Sequence, residues 1–280
     1  VDTNFAIVDI ETTGGSAAQS GITEIAVLLF DAQTRTITHR FETLINPEMP
    51  VPYYITTLTG IDNRMVADAP VFADIAPQLF KLLHNRVFVA HNVNFDYSFI
   101  NHQFKKAGIA WSAKKLCSVR YACKVLPGMP SYSLGNLCRQ LNLPIENRHR
   151  AAGDASATAV LLMHLMQADD QLKHLSAMLK GRNPHSYLPL HVPESMFENL
   201  PYCAGVYYFK DEKGKVLYVG KARNIKYRVR SHFSNNEINP KKQELLRRVH
   251  SITYRPCVTE LMALVWESAE IKRLWPEFNR

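Results

Sequence analysis

The sequence predicts an α/β protein in two modules, on three observations. Short apolar strands open the chain in antiparallel order. Later strands alternate with helical segments, and a proline-broken stretch separates this pattern from a second, shorter one. With 280 residues, 46% of them hydrophobic and 21% charged, the chain has apolar material for two cores.

Residues 5–10 (Phe-Ala-Ile-Val-Asp-Ile) form an uninterrupted apolar run up to Asp9, as a buried first strand requires. Residues 22–30 and about 36–45 supply two more strands, and the short connections imply an antiparallel meander. Helical periodicity covers 72–84. A fourth strand at 86–90 leads into a helix from about Asp96 to Ala107, and further helices are expected near 114–125, 133–142 and 152–167. Pro184, Pro189 and Pro193 then break every periodic pattern, so residues 176–199 are expected to be a linker. The pattern restarts with strands at 205–209 and 215–219 joined by a polar turn, and a helix over 222–233. A helix near 240–249, a strand at 251–255 and a helix at 258–274 complete it. The expected modules are 1–175 and 200–280.

Charge follows the same division. Residues 1–175 hold 15 Lys/Arg and 15 Asp/Glu, while residues 176–280 hold 18 and 10, so the net +8 lies wholly in the last third. A basic module behind a neutral one suits a polyanionic partner. No apolar run approaches the ~18 residues of a membrane span. Asp2, Asp9 and Glu11 exclude a secretory signal, so a cytoplasmic protein is expected. The start at Val1 suggests a trimmed segment. The five cysteines are odd in number and show no paired spacing, which favours reduced thiols over a zinc or iron–sulfur site.

Asp9 and Glu11 lie two apart on the first strand. They therefore share one face with Phe5 and Ile7, opposite Ala6, Val8 and Ile10. Two like charges at the end of an apolar strand repel and lose hydration; a divalent cation would compensate, as would simple exposure of the strand end. Asp96 and Asp154 each fall at the start of an expected helix, where a carboxylate is tolerated and is more often a plain cap.

Taken together, Asp9-x-Glu11, His91-Asn92-x-x-Phe95-Asp96 and His149-x4-Asp154 resemble the three motifs of the DEDDh family of 3′→5′ exonucleases. The resemblance covers about residues 5–167. Flanking segments agree, including Thr12-Thr13-Gly14, Asn46-Pro47, Leu58-Thr59-Gly60-Ile61 and Leu134-Gly135-Asn136-Leu137. It implies a ribonuclease H-like mixed-sheet domain in which Asp9, Glu11, Asp96 and Asp154 hold two Mg²⁺ or Mn²⁺ ions. It implies also that His149 takes the water proton and that the Thr12–Thr13 backbone positions the terminal 3′-hydroxyl. His91 is expected to be structural. Cys117-Ser118 stands where many relatives carry Asp-Thr, outside the catalytic five.

Gly205-Val206-Tyr207 and Tyr218-Val219-Gly220 fall on the two restarted strands. With the run from Lys221 to Phe233, Glu267 and Pro276-x-x-Asn279, they resemble the GIY-YIG nucleases of the UvrC and Cho type. This resemblance covers about 200–279 and implies a small α/β endonuclease domain. In it Arg228 contacts the scissile phosphate, Glu267 is the single metal ligand, and Arg223 and Asn279 serve substrate binding. Tyr218 is a candidate proton acceptor. A phenol near pKa ~10 is a poor base at neutral pH, so Lys221 or the metal's field must depress it. Tyr207 would orient the water. His232 stands where UvrC relatives usually carry Tyr, so the base could be Tyr218 or His232. The stretch Gln140–Pro144 loosely resembles a sliding-clamp binding peptide, but Leu141 and Leu143 are expected in the core, as are Trp266 and Trp275.

These patterns point to a DNA repair nuclease with exonuclease and endonuclease modules, served by excision-repair loading proteins or a DNA polymerase. The rivals are a DNA-binding accessory and a polymerase-associated proofreader whose second module only grips DNA.

Overall fold

The computed structural model describes residues 4–180, 188–189, 191–234 and 240–279. The chain divides into two compact units, Val1–Gly181 and Arg182–Arg280.

In the first unit, β1 (Asn4–Thr12), β2 (Ile22–Asp31) and β3 (Thr36–Leu44) form the expected antiparallel meander. Helices α1 (Tyr53–Thr59), α2 (Asn63–Ala67) and α3 (Phe72–Leu83) follow. Next come β4 (Val87–Ala90), α4 (Val93–Lys106) and β5 (Lys115–Cys117), with β4 and β5 both parallel to β1 in the order β3-β2-β1-β4-β5. Helices α5 (Ser118–Val125), α6 (Leu134–Gln140), α7 (Ala151–Ala168) and α8 (Lys173–Lys180) complete the unit. The expected helix at 114–125 is therefore split. Leu116 and Cys117 are buried as a three-residue edge strand, too short for its period to show in sequence.

Phe5 and Ile7 join Leu161, Leu162 and Leu165 of α7 in one core, on the face of β1 that also carries Asp9 and Glu11. A second apolar group is built from Phe72, Phe104 and Trp111, with ring centroids 5.5 Å and 5.3 Å apart along that chain. Tyr121 donates to Asp169, whose carboxylate also accepts from the backbone N–H groups of His174 and Leu175 and so starts α8.

The second unit holds α9 (Glu194–Glu198), β6 (Gly205–Lys210), β7 (Val216–Ala222), α10 (Ile225–Ser234), α11 (Pro240–Arg248), β8 (Ser251–Pro256) and α12 (Glu260–Leu274). Its antiparallel sheet runs β7-β6-β8. Tyr207 and Phe209 face one core with Ile225, Val229 and Phe233 of α10, while Val206 packs with Ala263 of α12 on the other side.

The expected linker at 176–199 is thus largely folded. Residues 176–180 belong to α8, and Leu188, Val192 and Phe197 are buried in the second core, at 2%, 5% and 3% exposure. Prolines end periodic patterns without preventing the residues between them from packing. Residues 181–187 and 190 of the expected linker lie outside the described segments.

A fragment starting at residue 182 should therefore be more stable than one starting at 196, which lacks Leu188 and Val192. Losing two buried aliphatic side chains costs on the order of 2–5 kcal/mol each. Urea unfolding followed by circular dichroism measures this, and equal midpoints would remove the segment from the core.

Candidate functional site

The acidic cluster begins with the pleat of β1, which sends Asp9 and Glu11 to one side beyond Ile7, the last residue paired with β4, where the strand still pairs with β2. Asp96 sits in the first turn of α4, immediately beyond the parallel strand β4, and is 3% exposed. Asp154 sits in the first turn of α7, which packs across β1 and β2. Carboxylate oxygens of Asp9, Glu11 and Asp154 all lie within 4.8 Å of one another. Asp96 is close enough to Asp9 to oppose its ionisation.

His149 precedes α7 in a left-handed conformation (φ 61°), and its backbone N–H donates to Asp154 Oδ2 at 3.4 Å. Gly153 makes this turn possible: a Cβ there would lie 2.3 Å from the Glu146 carbonyl and 2.4 Å from that of Asn147. Any side chain would push the His149 loop off the helix.

The electrostatics are those of a cation site. Burial, then Asp96, Asp154, Glu11 and Glu24, hold the Asp9 carboxyl well above the usual carboxylate range. Burial and the neighbouring Asp154 and Glu24 push Glu11 up to about 7, partly offset by Arg150. Burial also raises Asp154, against the His149 N–H. Asp154 Oδ1 is buried with no hydrogen-bond partner among the described residues. Clustered hard oxygens with raised proton affinity and an unspent lone pair fit a divalent ion, which would take the place of the protons.

Sequence reasoning missed Glu24. It faces Glu11 across the β1–β2 pairing and is 6% exposed. The Arg150 guanidinium grips both its oxygens, from Nε at 3.1 Å and 3.0 Å, and the Ala151 N–H donates to it at 2.8 Å. A lone glutamate inside Ile-Thr-Glu-Ile-Ala-Val was the available signal, because a buried acid needs a partner.

His91 is structural, as expected: Nδ1 meets Ser118 Oγ at 2.8 Å and Nε2 meets the Tyr132 carbonyl at 3.0 Å. The departure at Cys117-Ser118 thus keeps a hydroxyl that anchors the histidine. Thr12 Oγ1 donates to the Gly14 carbonyl, and Thr13 exchanges hydrogen bonds with Gly21 through its own N–H and its hydroxyl. Both threonines, expected at the substrate terminus, therefore hold the 12–21 loop, and the Thr13 N–H is already spent.

In the second unit Tyr207, Tyr218 and His232 form one aromatic cluster. The two tyrosine rings are 6.1 Å apart, and the Tyr207 hydroxyl meets His232 Nε2 at 2.7 Å. Gly220 leaves space for that hydroxyl, since a Cβ would lie 2.4 Å from it. Burial, Arg228 and Lys242 hold His232 down to about 4, so the imidazole is neutral at neutral pH. Burial raises both tyrosines.

The charges that favour the Tyr218 phenolate come from Arg228, whereas the Lys221 ammonium turns to Glu260 at 3.4 Å. Of the two expected means of depressing Tyr218, Lys221 or the metal's field, the Lys221 ammonium is thus directed to Glu260 instead. Arg223 is also paired with Glu260. Glu267 Oε1 accepts from the Lys221 backbone N–H at 2.8 Å and lies near enough to Tyr218 to raise it. Asn279, expected at the substrate, spends both ends of its amide on Val219, donating to its carbonyl and accepting from its N–H, each at 2.8 Å. It pins the chain to the edge strand β7. Trp266 is half-buried beneath the Arg255 guanidinium, but Trp275 is 63% exposed, against expectation, where a left-handed residue ends α12.

The raised acids make metal-free stability depend on pH. A carboxyl with a raised folded-state pKa keeps a proton that the unfolded chain releases. Stability is therefore lost as pH rises from about 4.5 to about 7, the window set by Glu11. Melting in EDTA should show a drop of roughly 1–3 kcal/mol across it. Mg²⁺ or Asp9→Asn should reduce the drop, and a flat profile in EDTA would contradict the cluster's electrostatics.

Two family models match the chain, one described as Exonuclease over residues 6–162 and one as a UvrC-like GIY-YIG domain over residues 203–280. A bifunctional exonuclease/endonuclease protein of Mycobacterium tuberculosis is 32% identical over 289 residues, covering 100% of this chain and 44% of that protein. The 3′-5′ exonuclease DinG of Bacillus subtilis is 35% identical over 214 residues, covering 69% of this chain and 23% of its own length. The chain thus spans less than half the length of either relative. Exonuclease X, solved in complex with 5′ overhanging duplex DNA, is 26% identical with a TM-score of 0.50 over 59% of this chain and 93% of that one. E. coli exonuclease I, solved with a dT13 oligonucleotide, shares the fold at 17% identity and a TM-score of 0.58, over 74% and 48%. No helix among the described residues is long and apolar enough to cross a membrane. Matched over more than half its length and carrying its acidic cluster on the same scaffold, the chain belongs to the exonuclease family, with a UvrC-like GIY-YIG domain behind the exonuclease domain.

Proposed function

We propose that the chain is a DNA repair nuclease with two metal-dependent hydrolytic sites, a 3′→5′ exonuclease and an incising endonuclease. The observation that carries this is the convergence of the Asp9, Glu11 and Asp154 oxygens within 4.8 Å, with Asp154 Oδ1 buried and unpartnered among the described residues. DNA as the substrate is supported by the DNA complexes of the structural neighbours and by the net positive charge of the last third.

Asp9, Glu11, Asp96 and Asp154 would hold two Mg²⁺ or Mn²⁺ ions, and Glu267 would hold one. When bound, such ions stabilise charge on phosphate oxygens and acidify the attacking water. His149, held beside Asp154 by its own backbone, receives the water proton at the first site. The loop tied by Thr12 and Thr13 borders the 3′ terminus.

At the second site Arg228 meets the scissile phosphate. Tyr207 orients the water, and of the two candidate bases His232 Nε2, 2.7 Å from the Tyr207 hydroxyl, takes the water's proton in preference to Tyr218, whose phenol burial holds protonated. His232 is neutral and can accept it. Arg228 makes the resulting imidazolium costly until the phosphate's negative charge arrives. An incision exposes a 3′ end, which is the substrate class of the first site. Loading by excision-repair proteins, or association with a polymerase, would bring the chain to its DNA.

Asp154→Ala should abolish stepwise 3′ degradation of end-labelled DNA. His149→Ala should slow turnover by about two to four decades with metal affinity little changed. Undiminished exonuclease in Asp154→Ala would sink the metal assignment, and a main effect of His149→Ala on metal affinity would end its role as base.

Nicking of supercoiled plasmid is best measured in an Asp9→Ala background, where resection cannot blur the products. Arg228→Ala should cost about two to three decades in rate, and Glu267→Ala should remove divalent-dependent nicking while DNA binding stays. Silence of the Asp9→Ala protein on plasmid, pre-damaged and partner-loaded DNA alike would leave the second unit a binding platform.

A further inference from the structure

Two tyrosines of the second unit stay outside its core. Tyr202 is 66% exposed and Tyr227 is 63% exposed, and their ring centroids are 5.9 Å apart. They come from different segments, and backbone hydrogen bonds fix them together. The Ile225 N–H donates to the Cys203 carbonyl at 3.0 Å and the Lys226 N–H to that of Pro201 at 3.2 Å, which clamps the 201–203 loop to the start of α10. Lys226 then folds over the Tyr202 ring with Nζ 4.9 Å from its centroid, and that ammonium donates to the Glu198 carbonyl at 2.6 Å. The backbone that carries the pair is thus fixed without a ligand, which lowers the ordering cost of binding.

The surroundings are cationic. Arg230 shares the Tyr227 side of α10, three residues on, whereas the Arg228 guanidinium turns to Tyr207. Two exposed rings set at 71° to one another, beside the Lys226 ammonium and on a basic helix, fit a flat, π-faced ligand on a polyanionic backbone, which is an unpaired nucleobase in DNA. The mechanism above uses neither tyrosine.

We infer that Tyr202 and Tyr227 form a stacking platform for an unpaired base flanking the bond cut by the C-terminal unit, so that this unit prefers locally opened DNA to intact duplex. The inference rests on the proposed endonuclease reading, and the test separates the two. The ligand is a DNA dumbbell closed at both ends, which offers the exonuclease no 3′ terminus. It is fully paired or carries a central bubble with 2-aminopurine.

Fluorescence anisotropy with the full chain in EDTA should show tighter binding to the bubble, with quenching of the 2-aminopurine. The Tyr202→Ala/Tyr227→Ala protein should lose about tenfold in bubble affinity and lose the quenching, with duplex affinity within about twofold. Tyr202→Phe/Tyr227→Phe should behave as the parent, because stacking needs the ring and not the hydroxyl. Bubble affinity and quenching unchanged in the alanine protein would overturn the platform and leave the tyrosines as a protein-docking face. An equal loss on both DNAs would make them general contacts and overturn it too. Absence of any DNA binding by the parent chain would defeat the endonuclease reading itself.

Discussion

Mutual repulsion among buried carboxylates is the constraint on which the first unit turns. Asp9, Glu11, Asp96 and Asp154 arrive from three elements at the exit of one apolar strand, and Glu24 adds a fifth charge from the next strand. A fold gains nothing from such a gathering alone. It survives because four of the five acids are compensated in one of three ways. Glu24 is neutralised by Arg150, Asp154 receives the His149 N–H, and Asp9 and Glu11 retain protons far more readily than exposed acids do. The remaining deficit is what a divalent ion supplies, so affinity for metal and instability without it are two expressions of one arrangement.

The second unit is built on the opposite electrostatic plan. Its sheet presents Tyr207 and Tyr218, and α10 adds a neutral His232 and Arg228, with the Glu267 carboxylate near Tyr218. Burial there suppresses charge instead of concentrating it. His232 is kept neutral and Tyr207 is kept protonated, a state suited to orienting a water and accepting its proton. The glycines of the motif mark close approach, and Gly220 is required because the Tyr207 hydroxyl occupies the space a Cβ would need.

The two units differ in charge as in chemistry. The neutral first unit carries the acid-rich site, and the basic last third carries the arginines and lysines of α10 and α11. Under the proposed function the basic unit supplies the general attraction for the phosphate backbone, which falls with salt, while the acidic site acts only where a metal has already reversed its sign.

Much was legible in the sequence, for physical reasons. The meander, the parallel strand β4 and the long α7 were readable because period-2 and period-3.6 patterns persist over enough residues to stand out. The spacing of Asp9 and Glu11 alone put them on one face. The His91 motif identified a structural histidine, although only the fold showed that Ser118 anchors it. Short or mixed segments were not legible: β5 has three residues, and Leu188, Val192, Phe197 and Leu200 pack into the second core despite the prolines between them. Trp275 defeats a hydrophobicity rule because a left-handed cap turns it outward. Tertiary structure alone decided the Glu24–Arg150 clamp, the Glu260 pairing that takes Lys221 away from Tyr218, and the turn of Asn279 onto Val219. Each of these joins residues distant along the chain, and a sequence records which groups must find partners but not which partners folding will bring within reach.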